Sequence, residues 1–226
     1  MRQFNKEDLV KQRQGHRERL RQRFLQSGTA ALQPYEMLEY LLFMLIPRRD
    51  VKPIAKALIE HFRTVSGVLD ASVEELVSFG LTQRVAADIT YLRQMMTFSC
   101  YEKITDRPFL ENSEAAIRYL QSKLGNSKKE TLMVFYLDAG RKIVGLWEQA
   151  GTVNSASVAP REVVEKALLY NAVGVILVHN HPSGSCKPSR TDVEFTRHIY
   201  NVLELFGIKL LDHLIVVKDD YRSLMQ

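Results

Sequence analysis

VGVILVHNHPSGSCKPSRTDVEF, residues 173–195, joins an almost wholly apolar run to a cluster of polar side chains. The run VGVILV is typical of a β-strand that is covered by other elements on both faces. Two histidines, a serine and an aspartate follow within fourteen residues. The polar cluster therefore begins where a buried strand ends, which is where ligands collect in open sheets.

The spacing of the two histidines indicates a metal site. Side chains alternate between the two faces of an extended chain, so His179 and His181 point to the same side. Asp192 falls in the first turn of a helix that begins at Ser189, where its carboxylate can fold back over the pair. Two imidazoles and one carboxylate leave the fourth position of a tetrahedral zinc ion for water, as hydrolysis requires.

A second interpretation of the same residues is structural. Ser189 and Asp192 have the spacing of a helix cap, in which the serine accepts a backbone N–H and the aspartate stabilises the positive end of the helix dipole. A cap does not account for two histidines on one side of a strand end. The spacing alone therefore favours the metal site over the cap.

The composition is that of a globular protein with a sizeable core. The chain has 226 residues, of which 46% are hydrophobic. Its longest apolar stretch, MLEYLLFMLI at residues 37–46, is too short to span a bilayer. Only two cysteines occur, and the first residues contain no apolar segment, so neither a disulfide framework nor secretion is predicted. We expect a cytoplasmic protein without a membrane span.

Two domains of different class are predicted. Residues 1–102 contain short helical segments joined by turns, which favours an all-α domain. From residue 103 onward, TLMVFYL and KIVGLWEQA indicate a β-hairpin, and IKLLDHLIVV indicates a last strand. Helices begin at Pro160 and Ser189. The predicted class is α+β, with a helical domain at 1–102 and a mixed β-sheet flanked by helices at 103–226.

The motif resembles that of a known family. His179-Asn180-His181, Ser189 and Asp192 reproduce the H-x-H-x7-S-x2-D signature of the JAMM, or MPN-type, metallopeptidases. HNHPSG, with PREVV before it and LDHLIVV after it, resembles the RadC family in particular. GHRERLRQRFLQSG and IPRRDVKPIAKAL in the first domain resemble the same family. The resemblance implies an MPN/JAB-type domain that follows a helix-hairpin-helix-like domain.

This resemblance implies a zinc-dependent peptidase or isopeptidase that acts on a protein or peptide substrate. His179, His181 and Asp192 would hold the zinc ion. Ser189 would donate a hydrogen bond to the developing oxyanion or interact with the bound water. The identity of the substrate is not indicated by any motif.

The resemblance also calls for a glutamate that takes a proton from water and returns it to the leaving amine. Four upstream glutamates are candidates for this base: Glu130, Glu148, Glu162 and Glu165. Glu130 is the first candidate because the base of the family pattern stands at the head of the first core strand, and Glu130 immediately precedes TLMVFYL. Glu162 is the second, although the helix dipole also explains a glutamate in a first turn. The alternative for Glu130 is a surface charge beside two lysines.

Three neighbours of the motif have two interpretations each. Cys186 lies in the loop and either approaches the ion or is incidental. His213, next to Asp212, either orients another group of the site or is a packed polar residue. Asn180 is expected on the opposite face of the strand from the two histidines, where it fixes the loop by hydrogen bonds to the backbone.

The N-terminal domain suggests a different function. Residues 1–23 hold eight Lys or Arg against three acidic residues, which suits nucleic acid phosphates or simply a solvated amphipathic helix. The candidate phosphate contacts are Arg17, Arg19, Arg21 and Arg23. SVEELVSFGLTQRVAADI resembles a helix-hairpin-helix, but Thr82 stands where a second glycine is expected.

Two alternative functions follow from these features. The first is a DNA-binding accessory protein of repair or recombination, in which the metal site is structural or vestigial. The second is a metal-dependent phosphodiesterase that acts on nucleic acid.

Overall fold

The computed structural model describes residues 6–105, 108–109, 113–151 and 158–225, and side chains from residue 15 onward. The chain forms two compact units, residues 1–95 and 96–226. The division between the units falls inside the helix Gln83–Thr105. It lies upstream of residue 103, the predicted domain boundary. That helix ends at Thr105.

The first unit is helical, as the sequence predicts. Its helices are α1 (Lys6–Ser27), a short 3₁₀ helix (Gly28–Ala31), α2 (Pro34–Leu45), α3 (Lys52–Phe62), α4 (Val65–Asp70), α5 (Val73–Phe79) and the start of α6 (Gln83–Thr105). Pro34 opens α2, and the Ser72 hydroxyl caps α5 by accepting the Glu75 N–H. Gly80 ends α5 at φ +119°, a left-handed conformation that suits glycine. Helix α4 was missed by the sequence analysis.

The second unit combines helices with one mixed sheet, which confirms the predicted α+β class. Its elements are α7 (Ser113–Leu124), β1 (Thr131–Leu137), β2 (Ile143–Ala150), α8 (Pro160–Leu169), β3 (Gly174–Asn180), α9 (Arg190–Glu204), β4 (Lys209–Val216) and β5 (Tyr221–Ser223). The strand order is β2-β1-β3-β4-β5. Strands β3 and β4 are parallel, and the other neighbours are antiparallel. The three-residue strand β5 was not predicted.

Helices cover both faces of the central strands, so every residue of β1 and β3 is buried. Val175 and Leu177 of β3 pack in a core with residues of α8 and α9, such as Val163 and Ile199. The intervening residues of β3 pack in a second core with α7. Because side chains alternate along a strand, the next odd-numbered position, His179, falls on the α8–α9 face.

In the part of the chain that the structure describes, no helix combines the length and the apolar character needed to cross a membrane.

Candidate metal centre

The two histidines of the motif converge at the end of β3. His179 is the penultimate residue of the strand, and His181 follows its last residue. Their Nε2 atoms lie 2.9 Å apart. The predicted arrangement on one side of the strand end is confirmed, and both rings present the same nitrogen to one point.

Asp192 closes this point from the first turn of α9. Its Oδ1 lies 3.4 Å from His179 Nε2, and its Oδ2 lies 3.4 Å from His181 Nε2. The same carboxylate takes part in a helix cap, because Oδ2 accepts the Ser189 N–H at 2.7 Å and Ser189 Oγ accepts the Asp192 N–H at 3.1 Å. The predicted cap is therefore present, and it holds the carboxylate where it faces both rings.

The local charges keep Asp192 ionised. Burial by itself would raise the pKa of this carboxyl, but the neighbouring His179 and the hydrogen bonds with Ser189 outweigh burial and hold the pKa well below its usual range. At neutral pH an anion thus lies beside the two imidazoles.

Glu130 is the glutamate that the fold brings to this point. It directly precedes β1, and β1 pairs with β3 such that Leu132 lies opposite His179. Among the described residues, Glu130, His179, His181 and Asp192 form one group in which each offers a possible metal-ligand atom. These atoms all lie within 4.8 Å of one another.

The other three candidate glutamates lie outside this group of described residues. Glu162 is exposed at the start of α8. Glu148 pairs with Lys123 at 3.1 Å, and Glu165 pairs with Arg161 at 2.6 Å. The geometry therefore favours Glu130 over Glu162.

Asn180 lies on the opposite side of the strand from the two histidines. Its Oδ1 accepts the Thr131 N–H at 2.9 Å, and its Nδ2 donates to the Lys129 carbonyl at 3.1 Å. Glu130 stands between these two backbone groups. The buried amide of Asn180 thereby fixes the backbone on both sides of Glu130, so the expected backbone hydrogen bonds are present.

His213 lies directly behind His179. Its Nε2 is 2.9 Å from His179 Nδ1, and its Nδ1 is 2.6 Å from Thr196 Oγ1. Burial, reinforced by the neighbouring His179, lowers the pKa of His213 to about 3, so this ring is neutral. Thr196 was missed by the sequence analysis, and its only signal is a position one helical turn after Asp192.

Cys186 is buried in the loop between β3 and α9 but is not in the described metal-ligand group. Burial raises the pKa of its thiol. A raised pKa disfavours the thiolate, which is the form that binds metals.

The arginines of α1 are largely engaged within their own unit. Arg17 donates to the Arg49 carbonyl at 2.7 Å, and Arg21 pairs with Glu18 at 3.0 Å. Arg23 pairs with Glu36 at 2.8 Å, while Arg19 is exposed. The basic side chains at positions 2, 6, 11 and 13 lie outside those described. Nucleic acid binding through this helix stays a prediction.

The turn that resembles a helix-hairpin-helix lies between α5 and α6. Gly80 occupies the left-handed conformation there, whereas Thr82 Oγ1 lies 3.4 Å from the Val85 N–H in the first turn of α6. Thr82 thus serves the helix start in the place of the second glycine, and phosphate binding at this turn also stays a prediction.

Comparison with known proteins gives the family. The family model described as the RadC-like JAB domain matches residues 110–226, and the chain belongs to this family. A UPF0758 protein of Ruegeria pomeroyi is 40% identical over 205 residues, which cover 90% of this chain and 92% of that protein. A UPF0758 protein of Fusobacterium nucleatum is 34% identical over 225 residues, which cover 96% of this chain and 97% of that protein. The resemblance stated from the motifs is thereby confirmed.

Proposed function

We propose that this chain is a zinc-dependent peptidase or isopeptidase of the JAMM type, which hydrolyses an amide bond in a protein or peptide. The observation that carries the proposal is the convergence of two imidazole Nε2 atoms, 2.9 Å apart, on the carboxylate of Asp192 with Glu130 alongside.

The position of the His181 ring hydrogen supports a cation between the two Nε2 atoms. His181 Nδ1 lies 2.7 Å from the Ser185 carbonyl oxygen, which can only accept, so Nδ1 carries the hydrogen. In the neutral ring, His181 Nε2 then presents a lone pair towards His179 Nε2. Two nitrogens 2.9 Å apart need a proton or a metal ion between them.

The donor set suits zinc. Two imidazole nitrogens and one carboxylate match the three protein ligands of hydrolytic zinc sites. His179, His181 and Asp192 would hold the ion, and all three are buried or half-buried. A bound zinc ion supplies Lewis acidity and makes water a nucleophile near neutral pH.

The remaining residues of the site handle protons. Glu130 is half-buried before β1. Its carboxylate would take a proton from the attacking water and return it to the leaving amine. Ser189 Oγ accepts the Asp192 N–H, which leaves the serine hydroxyl hydrogen to donate to the oxygen of the reacting carbonyl.

The first test is the metal content of the full chain, purified without a metal-affinity tag and measured by mass spectrometry. We expect near one zinc per chain in the wild type and in Glu130→Gln. We expect loss of zinc in His179→Ala, His181→Ala and Asp192→Ala. Absence of metal after reconstitution with zinc would overturn the proposal.

The second test is hydrolysis of a peptide and isopeptide library by the zinc-loaded protein. Glu130→Gln keeps the metal but loses cleavage, whereas Glu162→Gln serves as the matched control and keeps both. Cleavage of plasmid or oligonucleotide DNA in place of peptides would assign the site to a phosphodiesterase.

A further inference from the structure

Behind His179 lies a chain of three buried hydrogen bonds that ends at the backbone of α9. Thr196 Oγ1 donates to the Asp192 carbonyl oxygen at 2.6 Å. His213 Nδ1 contacts the same Oγ1 at 2.6 Å, and His213 Nε2 contacts His179 Nδ1 at 2.9 Å. The chain of hydrogen bonds thus connects three elements. Helix α9 carries the candidate ligand Asp192, β3 carries the candidate ligand His179, and β4 carries His213 between them.

The position of each hydrogen follows from the acceptor at the end of the chain. A carbonyl oxygen only accepts, so the single hydroxyl hydrogen of Thr196 points to it. The hydroxyl oxygen must then accept from His213, whose ring hydrogen lies on Nδ1. His213 Nε2 is left without a hydrogen and accepts one from His179 Nδ1.

We propose that Thr196 and His213 fix the ring hydrogen of His179 on Nδ1 and thereby leave Nε2 as its metal-binding atom. This inference rests on the zinc site proposed above. Thr196 and His213 are positioning residues, because neither side chain belongs to the group of possible metal ligands around Nε2 of His179 and Nε2 of His181.

The proposal differs from simple packing of a polar residue. In a packed core, any orientation of the His213 ring that satisfies its two nitrogens suffices. Here the backbone carbonyl sets the direction of all three bonds. The other tautomer of His213, with its hydrogen on Nε2, would donate to His179 Nδ1. The ring hydrogen of His179 would then lie on Nε2. Metal ligation through that Nε2 would then be blocked.

Thr196 offers a matched pair of variants. Thr196→Ser retains the hydroxyl, whereas Thr196→Val has nearly the same shape and removes it. We expect Thr196→Val to weaken zinc affinity about 10–100-fold, the typical cost of losing an outer partner of a ligand, in competition with a chelator. Thr196→Ser keeps an affinity close to that of the wild type. Equal affinity in both variants would overturn the proposal.

Nuclear magnetic resonance reads the hydrogens directly in the wild-type chain and needs no variant to fold. Two-bond ¹H–¹⁵N correlations of ¹⁵N-histidine distinguish the two neutral ring forms. We expect His179 and His213 each to carry a hydrogen on Nδ1, and a His179 or His213 ring without a hydrogen on Nδ1 would refute the inference. If the wild type binds no zinc, the proposed function fails, while the metal-free spectrum still decides the position of these hydrogens.

Discussion

Removal of one buried hydroxyl should make this protein more stable. Tyr136 is the penultimate residue of β1 and is fully buried. Its ring packs against that of Tyr170, with centroids 5.2 Å apart. Among the described residues its hydroxyl has no hydrogen-bond partner, and burial raises the pKa of Tyr136. The variant Tyr136→Phe keeps the ring and deletes only this hydroxyl.

The magnitude is set by two opposing terms. A hydroxyl buried without a partner costs about 1–3 kcal/mol in proteins. Its removal leaves a gap of roughly 10 Å³, which costs about 0.2 kcal/mol at roughly 24 cal/mol per Å³. We therefore expect Tyr136→Phe to raise the free energy of unfolding of the second unit by about 1–2 kcal/mol.

Urea unfolding followed by tryptophan fluorescence measures this change in the right unit, because the single tryptophan, Trp147, lies in β2. Tyr200→Phe serves as the control, since the Tyr200 hydroxyl donates to Glu204 on an exposed helix face. Its effect should stay within about 0.5 kcal/mol. A Tyr136→Phe variant that is less stable than the wild type would refute the reasoning, because its hydroxyl would then have a partner.

Three further changes have definite expected results. Asn180→Leu leaves the Thr131 N–H without its acceptor and should destabilise the second unit by about 2–3 kcal/mol, measured by tryptophan fluorescence in urea; a loss below about 0.5 kcal/mol would contradict the role of the amide. Ser72→Ala removes the cap of α5 and should cost about 1 kcal/mol by circular dichroism, and an unchanged urea midpoint would show that the cap is dispensable. The hydrogen bond from Arg23 lowers the pKa of Glu36, so this pairing stabilises the fold above the ordinary pKa of the carboxyl and is lost as the pH falls through the lowered value. Glu36→Gln should therefore be less stable than the wild type at neutral pH, and the difference should shrink in acid; a constant difference at every pH would argue against the ion pair.

Much of the fold and part of the site follow from patterns that are local in the sequence. The apolar run before His179 predicts a strand buried on both faces, and strand alternation places His179 and His181 on one side. Ser189 begins α9 because its side chain accepts a backbone N–H three residues later, and this also places Asp192 in the first turn. These features depend on dihedral preferences and on side chains a few residues apart, so a single stretch of sequence contains the information.

The tertiary structure decided which distant groups meet that stretch. Glu130 rather than Glu162 reaches the histidines because β1 pairs antiparallel with β3, a choice of strand order that no local pattern contains. His213 lies behind His179 because β4 is the parallel neighbour of β3, and Thr196 completes the contact from α9. Such contacts depend on how the hydrophobic faces of whole elements are buried together, so the sequence alone determined the two histidines and their strand, and only the packing of the sheet determined their partners.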